Sequence, residues 1–105
     1  MHTVIRTYTG TGASEVIDFI VTNKRDVTKV MQAVNGLVSL SVIKTEEGGF
    51  TVTVAKNEKA SAAITAVARE WVVKHAGHLK AKPPVVTGGK VLVSISEKAA
   101  PKSKA

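Results

Sequence analysis

Arg6, Tyr8, Trp71 and His75 are the residues whose types and spacing could do chemistry together. Arg6 and Tyr8 stand two apart in the β-branched run Thr3–Thr9, which puts them with Val4 on one face of a strand. Trp71 and His75 stand four apart along an apolar helical stripe that also holds Ile64, Val67, Ala68 and Val72. A phenol and an indole give a small-molecule pocket apolar walls. Arg6 adds a fixed positive charge for a carboxylate or phenolate, and His75 a proton acceptor. The competing reading has Tyr8 and Trp71 filling core with their polar tips satisfied, while Arg6 reaches the surface. No Ser-His-Asp arrangement can be assembled, because spacing alone places no carboxylate beside a histidine.

Two other motifs read as ordinary structure. His75 and His78, three apart near a helix end, reach one cation between them, but a closed site takes four ligands, or three with an open position; no metal is expected. Gly10-Thr-Gly12 follows a strand and precedes a helix, yet Glu15 stands where a dinucleotide turn needs its third glycine. With no cysteine, disulfides, thiolate metal sites and cysteine nucleophiles are excluded.

The elements that must position these residues follow from periodicity. After the first strand, Ser14 is expected to cap a helix with Val16, Ile17, Ile20, Val21, Val27, Val30, Met31 and Val34 on its apolar stripe. A break is expected at Val21-Thr22-Asn23, and Asn35-Gly36 suits the residues just past the helix end. Two alternating runs, Leu37–Lys44 and Phe50–Ala55, flank Glu46-Glu47-Gly48-Gly49 as a hairpin. Val42 opposite Val52, across a three-residue loop ending at Gly48, would put Val38, Leu40 and Val42 on the helix-covered face with Phe50, Val52 and Val54. Ser39, Ser41, Thr51 and Thr53 would then line the other face. Asn57 or Ser61 starts the second helix and Gly77 ends it, before a basic linker with Pro83-Pro84 and a last strand at Lys90–Ser96.

The order βαββαβ predicts an α+β, ferredoxin-like fold, a four-stranded antiparallel sheet with two helices on one face. Residues 1–97 are expected to form a single domain and 98–105 a basic flexible tail. The chain of 105 residues holds 15 Lys and Arg against 8 Asp and Glu. The excess is local, since residues 1–73 hold eight cations and seven acids, and residues 74–105 seven lysines and Glu97 alone. Nucleic acid is therefore not the expected partner of the folded part. The four aromatics, Tyr8, Phe19, Phe50 and Trp71, are too few for a base-stacking sheet, with Phe50 expected under the helices. No apolar run approaches a membrane span and no targeting segment is visible, so a cytoplasmic protein is expected.

Four stretches carry a family likeness: His2-Thr-Val-Ile-Arg-Thr-Tyr8, Gly36 with Val38-Ser39, Gly48-Gly-Phe-Thr-Val-Thr-Val54, and Glu70-Trp71. Together they resemble small bacterial proteins of the dimeric α/β-barrel superfamily, nearest the antibiotic biosynthesis monooxygenase-like domains. The resemblance implies a homodimer in which two ferredoxin-like sheets face each other with helices outside. It also implies cofactor-independent oxidation of phenolic substrates as one activity of the group. Asn35-Gly36-Leu37 stands where Pro-Gly-Phe is common, and no catalytic motif is carried across.

The expectation is thus a homodimeric α/β-barrel protein that binds or oxidises a small aromatic or apolar ligand without a cofactor, with Arg6, Tyr8, Trp71 and His75 as pocket candidates. The alternatives are a structural dimerisation module, or a weak nucleic-acid or anionic-surface binder acting through the Lys-rich C-terminal third.

Overall fold

The β-branched N-terminal run forms strand β1 (His2–Thr9), followed by helices α1 (Ala13–Thr22) and α2 (Lys24–Gln32). Strands β2 (Leu37–Thr45) and β3 (Gly48–Ala55) make the hairpin, and helix α3 (Glu58–Ala76) runs into a 3-10 turn at Gly77–Leu79 before strand β4 (Val85–Lys90). The computed structural model describes residues 1–97; the expected basic tail, 98–105, lies outside the described residues. The sheet order is β2-β3-β1-β4 and every neighbouring pair is antiparallel. This is the expected ferredoxin-like arrangement.

Local chemistry explains the helix ends. Asn23 interrupts the first helical stretch, its side-chain amide donating to the Phe19 carbonyl at 2.8 Å in competition with the helix ladder. The break expected there separates α1 from α2. Ser14 is not the cap: the helix starts a residue earlier, and Gly12, at φ +80°, holds the cap position without a side-chain bond. Asn57 caps α3, its Oδ1 accepting from the Ala60 amide at 2.8 Å.

The hairpin register differs from the expectation by one residue. Thr45 pairs with Gly48, so the loop is Glu46-Glu47 alone, and Val42 lies opposite Thr51 rather than Val52. A one-residue slip turns a whole strand over. Thr51 and Thr53 are buried beneath the helices with Leu40 and Val42, whereas Phe50, Val52 and Val54 lie on the open face. The glycines explain the choice. A Cβ at Gly49 would stand 2.8 Å from Ile17 Cγ1 and against the Ile43 carbonyl oxygen, so both glycines are used inside the strand, where α1 presses on the sheet, and not in the turn.

The last strand also moves. β4 is Val85–Lys90, not Lys90–Ser96, and its partner decides this. β1 is matched from Thr7 opposite Val85 to His2 opposite Lys90. Beyond it one bond continues the ladder, from the Val91 amide to the Met1 carbonyl at 2.9 Å. Val91–Ser96 has the alternation of a strand, but β1 has ended. Leu92 and Ile95 are accordingly 85% and 88% exposed.

The core lies between sheet and helices. One cluster joins Tyr8, Val16, Ile17, Ile20 and Trp71, and another joins Met31, Ala55 and Ile64. The open face is more apolar than expected, with Ile5, Phe50, Val52, Val54, Ile43 and Val85 interspersed by Ser and Thr.

Candidate functional site

Alternation along β1 turns Val4, Arg6 and Tyr8 toward the helices, as expected. Arg6 is 4% exposed and Tyr8 2%. The Arg6 guanidinium donates to the Tyr8 hydroxyl at 3.1 Å and lies 6.0 Å from its ring centre. Arg6 therefore does not reach the surface. Among the described residues the one ion pair is Lys44 with Asp18, 2.6 Å apart on the exposed side, so Arg6 has no carboxylate partner there. A buried charge compensated only by a neutral hydroxyl is costly to fold, which makes this position the strongest pointer to a ligand.

Trp71 comes down from α3 onto the same face of the sheet. Its indole Nε1 donates to Asp26 Oδ2 at 2.8 Å, and its ring lies 5.8 Å from that of Phe19. Arg6, Tyr8 and Trp71 meet around an inner cavity of about 40 Å³ that Thr51, Thr53 and Met31 also line. Such a volume holds water and little more. Arg6 and Tyr8 also form the floor of a groove of about 450 Å³ between α3 and residues 80–86. That size falls in the range of small-molecule sites.

His75 is not brought into either space. It is exposed, its ring packs 4.9 Å from that of Trp71, and it lines a separate recess of about 190 Å³ with Glu70 and Lys74. His78 lies edge-on to Phe19 at 5.6 Å. Among the described residues no three His, Asp or Glu side chains gather as metal ligands would. Phe50, contrary to expectation, faces the open side, but its β1 neighbours there are Ile5 and Thr7, so no aromatic platform for bases results. Three residues of the site were missed from the sequence. Thr51 and Thr53 were placed on the wrong face by the register, and Asp26 has no signal beyond an acidic residue near a helix start.

No family model matches the chain, and no curated protein sequence matches it. Solved structures do. A protein of unknown function from Nitrosomonas europaea is 13% identical, with 92% of this chain covering 93% of that one at a TM-score of 0.67. SnoaB, a cofactor-independent oxygenase from Streptomyces nogalater, is 13% identical, with 91% covering 97% at a TM-score of 0.64. The chain shares their fold, a ferredoxin-like α+β arrangement. A dimeric ferredoxin-like protein from an uncultured marine organism is 11% identical, with 91% covering 96% and a TM-score of 0.64. At these identities the likeness concerns the fold alone. Within the described residues, no helix is long and apolar enough to cross a membrane.

Proposed function

We propose that this chain is a homodimeric small-molecule-binding protein whose ligand, apolar or aromatic, lies between sheet and helices over Arg6 and Tyr8. The ligand occupies the larger groove beside α3, Trp71 lies behind it on the inner cavity that Arg6 and Tyr8 also line, and no cofactor takes part. The observation that carries the reading is Arg6, a residue only 4% exposed whose guanidinium has no carboxylate partner among the described residues. Chains meet through the open sheet face in this reading, supported by Ile5, Phe50, Val52 and Val54 on that face and by the dimeric neighbour of like fold. His75 is kept as a candidate outside the cavity, where its ring supports Trp71.

Trp71 is the one tryptophan, so its fluorescence reports on the site. Titration with phenol and 1-naphthol should give a saturable change that Trp71→Phe abolishes and Tyr8→Leu weakens. A linear, unsaturable response to every probe, from a protein that still dimerises, would leave the structural-module reading in its place. Oxidation of a bound phenol by dioxygen is the second reading, favoured by the like fold of a cofactor-independent oxygenase. Its measure is oxygen uptake with a phenolic substrate in metal-free buffer.

A further inference from the structure

Three cationic side chains surround the mouth of the larger groove. Arg69 comes from α3, and Lys80 and Lys82 from the segment leading to β4. Among the described residues no acidic side chain lines it. Its floor is Arg6 and Tyr8, and its walls are apolar, with Val16 and Val72 on the helix side and Pro83 and Val86 on the other. The wall segment is tied in place, since the Lys82 amide donates to the Thr11 carbonyl at 3.4 Å. Part of the positive excess of the C-terminal third is thereby concentrated at one opening.

We propose that this groove binds a monocarboxylic acid with an apolar tail, its carboxylate on Arg6 and Tyr8. The inference rests on the small-molecule reading, because Arg6 and Tyr8 belong to both spaces, and it names the ligand's chemical class and its place. Three features favour that class. A guanidinium offers paired N–H groups whose fork matches a carboxylate. The Tyr8 oxygen accepts from Arg6, which leaves its own O–H free to donate to the second carboxylate oxygen. One deep charge in an apolar setting is balanced by one anionic charge, while the tail covers Val72 and Val86. The rim cations draw anions toward the mouth without themselves being buried.

The test is titration of the full chain with decanoate and with decanol, both below their aggregation limits, followed by calorimetry and by methyl and indole NMR shifts. Decanoate should bind at least about tenfold more tightly than decanol, a difference of one buried charge-assisted contact. Shifts should appear at the Val72 and Val86 methyls. Arg6→Met should abolish the preference by weakening decanoate at least about tenfold more than decanol. If Arg6→Met does not fold, the paired rim reversal Arg69→Glu with Lys82→Glu should weaken decanoate several-fold and spare decanol. Equal binding of acid and alcohol, or a preference that survives these changes, overturns the carboxylate assignment and leaves the small-molecule reading standing. Binding of neither probe overturns this proposal, and silence of Trp71 toward the phenols as well removes the broader reading.

Discussion

Trp71 Nε1 is 2.8 Å from Asp26 Oδ2, a bond that spans 45 positions of sequence and fastens α3 to α2 above the Arg6–Tyr8 pair. It does two things at once. It satisfies the polar edge of a largely buried indole, and it sets the angle at which the ring meets the inner cavity.

Asp26→Ala should therefore destabilise the fold by about 1–2 kcal/mol, the range for a bond to a charged acceptor that is only part-buried. Asp26→Asn retains an acceptor oxygen and should lose less. Urea unfolding followed by Trp71 fluorescence measures both, and equal stability of the alanine variant and the parent would contradict the role given to this bond.

Gly49→Ala tests the close approach of α1 to the sheet. The added methyl group meets Ile17 at 2.8 Å, and φ is +156°. Strain and overpacking together should cost at least about 2 kcal/mol. Gly77→Ala, with open space around the position, is the control and should stay within about 0.5 kcal/mol.

The hairpin register makes opposite forecasts for adjacent residues. Val52→Lys, on the open face, should yield a folded monomer by sedimentation equilibrium. Thr53→Lys, 4% exposed beneath the helices, should unfold the chain or lower its melting temperature sharply. Exchange of these two outcomes would restore the pairing of Val42 with Val52.

Arg6→Met in the ligand-free protein should be neutral or stabilising, by up to about 1 kcal/mol, because it replaces an uncompensated buried charge with an apolar chain of similar length. Thermal unfolding of the free protein is the measurement. A loss of more than about 2 kcal/mol would mean that the guanidinium is held by structural partners and is not waiting for an anion.

Much of the architecture was legible in the chain itself. Alternation in Thr3–Thr9 put Arg6 and Tyr8 on one face, the helical stripe put Trp71 above the sheet, and Asn23 and Asn57 marked a break and a cap. These are local preferences, set by backbone geometry within a few residues. The site was legible in part, since Arg6, Tyr8 and Trp71 meet and His75 does not: a helical stripe names a side of the cylinder, and at its edge a side chain turns outward.

Sequence alone thus determined which side chains in most runs point the same way, because a strand repeats every two residues and a helix every 3.6. The irregularity between Leu37 and Ser39, however, leaves Val38 half-exposed and out of line with Leu40 and Val42. Tertiary structure alone decided which side of Phe50–Ala55 meets the helices, and where the last strand stops. Gly49 admits Ile17 and so chooses the hairpin register, while β1 ends at His2 and leaves Val91–Ser96 without a partner. Both outcomes are set by the space and the hydrogen-bonding groups a distant segment offers, and no local pattern carries that information.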